Sequence, residues 1–133
     1  RDRARDELWK KSMTRIAIRI DFLVQKWPDL HKMGRAGKLQ MWPVGWITTY
    51  GEGDAFMQLL YSKNIHQSNN ACAAIPEYDR LYEQTLRMPD SPERNTLYRE
   101  MAKIIATYAP WRLDEFDGWI VVEQGSTAPV LST

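Results

Sequence analysis

The residues able to do chemistry are few, and they are poorly grouped. Catalysis needs a nucleophile with a base in reach, a cluster of metal ligands, or a pair of buried carboxylates. Cys72 is the single cysteine, so neither an internal disulfide nor a cysteine-based metal site can form. His31 and His66 stand far apart and lack metal-ligand spacing. Asp114, Glu115 and Asp117 form an acidic run of near neighbours, the pattern of a solvated loop. Gly45, Gly51 and Gly53 are not followed by Lys-Ser or Lys-Thr, so they do not make a phosphate loop. The expectation is a protein that is not an enzyme, with no catalytic residue, no metal and no cofactor.

Binding is better served. Trp42-Pro43-Val44-Gly45-Trp46-Ile47-Thr48-Thr49-Tyr50 carries two indoles and a phenol into a glycine-rich turn. In α/β sheets ligands collect at the carboxyl ends of strands, where aromatic walls and a few polar groups hold them. Gly45 would let a ligand or a second backbone approach closely. The alternative is an ordinary packed strand with two buried tryptophans, and the residues alone leave both readings open. The candidate ligand-binding set is Gly45, Trp46, Ile47, Thr48, Thr49 and Tyr50.

The elements that must position this stretch follow from periodicity. Leu8, Trp9, Ser12, Met13 and Ile16 fall on one helical face. Residues 18–24, Ile-Arg-Ile-Asp-Phe-Leu-Val, alternate as a half-buried strand does, with Arg19–Val24 its centre. Trp27-Pro28-Asp29 opens a helix and Gly37 is suited to stop it. Leu39–Ile47 reads as a second strand, with Pro43 favouring an edge or a bulge. A right-handed crossover through the intervening helix predicts that the two strands pair in parallel.

Asp54 can cap a helix bearing Phe56, Leu59 and Leu60. Residues 62–74 are polar and asparagine-rich, a surface-loop composition. Pro76 opens a helix with Tyr78, Leu81, Tyr82 and Thr85 on one face. Asp90 or Ser91 caps the next, which carries Leu97, Met101, Ile104, Ile105 and Tyr108 and ends at Pro110. Trp119–Val122 can form a last strand. Together these predict an α/β fold with a strand-helix-strand core and flanking helices. Residues 1–124 read as a single lobe and 125–133 as a flexible tail.

The chain has 133 residues, enough for one substantial core, with 18 basic and 17 acidic side chains giving a net charge of +1. No basic cluster points to nucleic acid, which is excluded as a partner. No apolar run approaches the length of a membrane span. The charged start Arg1–Asp6 is not a signal peptide, and no methionine begins the chain. A mature product or an excised piece is expected.

Several stretches resemble the extracytoplasmic solute-binding proteins of family 5, the peptide/nickel class of ABC importers. Ile16-Ala17-Ile18-Arg19-Ile20 is similar to a strand of that family. Lys38–Trp46 resembles its glycine-lysine-leucine strand that ends in Gly-Trp, and Tyr50–Tyr61 resembles the segment that follows. Gln67-Ser68-Asn69-Asn70 resembles its "QSNY" loop. Asp79–Tyr82, Asp90–Arg94, Leu97–Met101 and Tyr108–Trp111 match in order and spacing, so the resemblance covers roughly residues 5–112.

The resemblance implies part of the carboxy-terminal lobe of a type II periplasmic-binding-protein-like fold, in a parent several times longer. It implies a peptide or similar small solute as ligand, a membrane ABC permease as partner, and a periplasmic or extracytoplasmic location with a signal peptide upstream. It further implies that Gly45-Trp46-Ile47 offers backbone groups to an extended peptide. Thr49 stands where the family commonly has an Asp that pairs with the peptide's α-amino group. A hydroxyl can accept a hydrogen bond from an ammonium but cannot neutralise its charge. The second function class is a structural or protein-interaction domain that keeps the fold and has lost solute binding; Thr49 and the divergence after Trp111 favour it.

Overall fold

The computed structural model describes residues 3–47, 53–114 and 119–123. Their contacts divide the chain into two compact units, Arg1–Leu30 and His31–Thr133.

The first unit is built on α1, Arg3–Thr14. Asp6 in its first turn and Lys11 in its last complement the helix dipole, and the Thr14 hydroxyl donates to the Lys10 carbonyl at 2.8 Å. None of its residues is buried. The helix ends in a turn in which the Ile18 N–H donates to the Met13 carbonyl, with Ala17 in the left-handed region at φ 61°.

The strand expected at Arg19–Val24 is not formed; residues 18–26 are neither helix nor strand. Alternation shows only that a segment is compatible with a strand, and the ladder itself needs a neighbour to take up the backbone groups. Arg19 and Asp21 form an exposed ion pair at 3.2 Å, and Ile18, Leu23 and Val24 stand in solvent.

Helix α2 covers Trp27–Arg35. Pro28 sits in its opening turn, as expected. Gly37, at φ 69°, ends it: its N–H donates to the Gly34 carbonyl and the Lys38 N–H to the Met33 carbonyl, the paired bonds of a Schellman stop. Within the same turn Gly34 is buried under Trp42, and a Cβ on it would lie 2.3 Å from the indole.

In the second unit β1, Met41–Gly45, alternates outward and inward, burying Trp42 and Val44. It forms one edge of a three-stranded sheet in the order β1-β3-β2, with β2 at Trp111–Asp114 and β3 at Trp119–Glu123. The edge position suits Pro43, which has no N–H for a ladder. Every pairing is antiparallel: Trp42 faces Val122 and Gly45 faces Trp119, while Trp111 faces Val122 from the other side. The parallel strand-helix-strand core is therefore not what the described residues form. The strand at Trp119 was legible; β2 was not, because its acidic end reads as a loop.

The remaining core is helical. Short helix α3, Asp54–Met57, starts at Asp54 with Gly53 in the cap position, so Asp54 is not the side-chain cap expected. It continues into a 3-10 turn, Gln58–Leu60, that buries Leu59 and Leu60. Helix α4, Pro76–Thr85, buries the four residues expected of it, Tyr78, Leu81, Tyr82 and Thr85. Helix α5, Pro92–Tyr108, packs against it and buries Met101 and Ile104. Ser91 rather than Asp90 caps α5, its hydroxyl accepting the Arg94 N–H at 3.2 Å. Ala109 closes the helix in the left-handed region, donating to the Ile105 carbonyl, and Pro110 follows.

Candidate functional site

The end of β1 opens onto a small cleft lined by Val44, Gly45, Trp46, Leu59, Ser68, Asn70 and Trp111. Four parts of the chain meet here: the strand end, the 3-10 turn, the asparagine-rich loop and the start of β2. Two of the six predicted binding residues, Gly45 and Trp46, line it. Trp46 is half-buried, whereas Trp42 four positions earlier is core, 2% exposed. Ile47 is 92% exposed and is not among the residues that line this cleft. Thr48, Thr49 and Tyr50 lie outside the described residues.

The enclosed space is only about 10 Å³, roughly that of one water molecule. A drug-sized ligand needs a pocket of several hundred Å³ that covers most of its surface. The cleft is thus a shallow surface rather than an enclosure. Its lining is apolar and aromatic with two neutral hydrogen-bonding side chains, and none of these seven residues carries an ionisable group.

The loop wall is held rigidly. Asn69, fully buried, donates from its amide to the carbonyls of Tyr61 (3.0 Å) and Ala73 (2.9 Å), and its Oδ1 accepts the Ala73 N–H. The Asn64 amide donates to the Gln58 carbonyl at 3.0 Å. His66 Nδ1 lies 2.7 Å from the Arg35 carbonyl, tying the loop to the end of α2. Residues 62–74 are therefore not the surface loop their polarity suggested: Asn69, Asn70, Ala71 and Ala73 are buried. Their burial is tolerated because the polar side chain of Asn69 replaces water as the backbone's partner.

Behind the loop, residues 61–63 are clamped to α4. The Ser62 N–H donates to one Asp79 oxygen at 3.0 Å and its hydroxyl to the other. Tyr61 Oη donates to Glu83 at 2.6 Å and Lys63 Nζ donates to the same oxygen at 2.8 Å. The hydrogen bond from Lys63 holds the Glu83 carboxyl below its ordinary range, and the bond to Glu83 raises the Lys63 ammonium above its own. Burial raises the Tyr78 and Tyr82 phenols, so both stay neutral, and Tyr78 donates to the Met57 carbonyl at 2.7 Å. Burial also raises the Cys72 thiol, which works against thiolate chemistry. His31 lies edge-on to Trp42, with ring centres 6.2 Å apart. Among the described residues no group of His, Cys, Asp and Glu could hold a metal ion. Nor is any described helix long and apolar enough to cross a membrane.

Leu59, Ser68, Asn70 and Trp111 escaped the sequence reading of the site. The density of asparagines after Asn64 signalled a loop that bonds its own backbone, but not which side chains it turns toward β1.

No protein-family model matches the chain, and no solved structure does. Curated relatives are found. Heme-binding protein A of Haemophilus influenzae is 30% identical over 106 residues, 79% of this chain and 19% of that protein. The periplasmic oligopeptide-binding protein OppA of Escherichia coli is 26% identical over 95 residues, 71% of this chain and 17% of that protein. OppA of Salmonella typhimurium is 25% identical over 91 residues, 68% and 16% respectively. The chain thus spans less than a fifth of the length of each relative it matches. Its similarity to these solute-binding proteins is distant but extends over most of its own length, in keeping with the resemblance to family 5.

Proposed function

We propose that the chain is part of a ligand-binding lobe of an extracytoplasmic solute-binding protein that serves an ABC importer for peptides or similar small solutes. The parent would close two lobes over its ligand and present it to a membrane permease. Residues 1–124 would belong to one lobe of a type II binding-protein fold, completed by parts of the polypeptide beyond this chain, with 125–133 a tail. The observation that carries the reading is the cleft itself. Gly45 and Trp46, to which the family resemblance assigns ligand contact, sit together at a strand end between aromatic and neutral polar neighbours. Ile47, Thr48, Thr49 and Tyr50 are proposed to continue that contact surface in the parent. The relatives' names include both heme-binding and oligopeptide-binding proteins, so both ligand classes enter the test.

Calorimetry on the full-length parent with short peptides and with heme tests the proposal. Trp46→Ala should weaken ligand binding at least about tenfold while costing well below the 3–5 kcal/mol of a fully buried tryptophan, since Trp46 is half-buried. Unchanged affinity together with a large stability loss would make Trp46 core and overturn the assignment. The small enclosed space favours a second reading, an interaction domain that binds no solute. A parent that takes neither peptide nor heme would support it.

A further inference from the structure

Residues 18–24 carry a strand-like alternation that the fold leaves without a neighbour. They are neither helix nor strand, and among the described residues no backbone hydrogen bond reaches residues 19–25. Ile18, Leu23 and Val24 are at least half exposed, and Phe22 is partly so. The 3.2 Å ion pair between Arg19 and Asp21 puts these side chains on one side of the chain, as two-apart residues are in an extended segment. Both side chains are open to solvent. A free extended edge bearing apolar residues is a template for a further strand.

This edge is complementary to itself. Laid antiparallel about Ile20, Arg19 of one copy faces Asp21 of the other and Asp21 faces Arg19, while Ile20 faces Ile20 and Ile18 faces Phe22. One face of the ribbon then holds the opposite charges and the other face the apolar pairs, both favourable across strands. Centring on residue 19 or 21 instead would set Arg19 against Arg19 or Asp21 against Asp21, and the half-steps would set charges against apolar side chains. The backbone agrees with the Ile20 register. The Ile18 N–H is already taken by the Met13 carbonyl, so the ladder bonds fall to Arg19 and Asp21, which lie on the opposite edge of the chain from Ile18.

We propose that residues 18–22 are a self-association edge, through which two copies of this chain pair antiparallel about a two-fold axis at Ile20. A second copy is the occupant because the segment supplies its own complement, charge for charge and apolar for apolar. The contact lies within the first unit and is independent of the binding-lobe reading. It uses the same patch on both copies, so it closes as a dimer. Two short strands alone make a weak contact, and the dimer forms only at high concentration.

The test is sedimentation velocity on the 133-residue chain, from low micromolar to about 1 mM, the range in which a weak dimer populates. A reversible monomer–dimer equilibrium is expected. Arg19→Asp and Asp21→Arg should each weaken association by about tenfold or more, since the two-fold axis makes each change count twice. Mixed in equal amounts, the two variants should pair with each other at the strength of the parent sequence, one copy carrying both acids and the other both bases. Mixing cannot restore the ion pair within a copy, so this recovery reads the contact between copies. The double exchange Arg19→Asp with Asp21→Arg should dimerise as the parent sequence does. Thermal melts of the variants should match, because both positions are exposed. Association that neither single variant moves, or a mixture that does not recover, overturns the inference. A chain that stays monomeric at the highest concentration also overturns it, and leaves the edge to a strand of the polypeptide beyond this chain.

Discussion

At the scale of single residues, Gly34 and Trp42 depend closely on one another. A glycine inside a helix is ordinarily improved by alanine, by up to about 1 kcal/mol. Here the added methyl would sit 2.3 Å from an indole that is itself only 2% exposed. Gly34→Ala should therefore destabilise the chain by about 1–3 kcal/mol, the range for overpacking a close-packed site. A urea midpoint equal to or above that of the parent sequence would show the ring to be free. The sequence reading gave Gly34 no role, because nothing in the alternation of β1 shows which helix residue its tryptophan meets. Trp42 and Trp46 were equally ambiguous; their separation into core and cleft depends on the strand ending at Gly45.

At the scale of elements, legibility followed locality. α4 and α5 were readable to within a residue or two because Pro76, Ser91 and Pro92 act on their own backbones. The strand at Arg19–Val24 was not, because a strand exists only through its neighbour. The ends of α5 offer a paired test. Ser91→Ala removes the cap accepting the Arg94 N–H and should cost about 1 kcal/mol. Ala109→Gly relieves a left-handed conformation at φ 47° and should add about 1 kcal/mol. Thermal denaturation that moves the two in the same direction would contradict this account of the helix termini. The clamp on α4 gives a pH signature. Glu83 is held below its ordinary range, so its contribution is complete above the unfolded carboxyl pKa and fades as acid passes the lowered folded value. Lys63 is raised, so its part persists to strongly alkaline pH. Melts from pH 3 to 7 should show Glu83→Gln losing stability at the neutral end while converging with the parent sequence in acid. A constant difference across that range would assign the effect to packing rather than charge.

At the scale of the whole molecule, the cleft is a surface more than an enclosure, and that governs what the chain can do by itself. Affinity for a small ligand depends on covering most of it, and a space the size of one water covers almost nothing. Calorimetry on the 133-residue chain should detect weak binding or none with peptides of two to five residues. Micromolar or tighter binding would mean that a second lobe is dispensable. The mixture of helices and strands was legible from periodicity, and the relatives from an ordered set of short motifs. The antiparallel sheet was not, since β1 finds its partner some eighty residues away in the Trp119 strand.

The pinned amide of Asn69 has a consequence for chemical ageing. Asparagine in a loop degrades when the next residue's backbone nitrogen attacks its side-chain carbonyl, closing a five-membered imide and releasing ammonia. Asn69 followed by Asn70 would ordinarily invite that reaction. In the folded chain the leaving amide donates to two carbonyls, and the attacking nitrogen of Asn70 is turned toward Ser68. The fold thus shields its own loop from deamidation, and the shelf life of this asparagine becomes a clock that runs only while the loop is open.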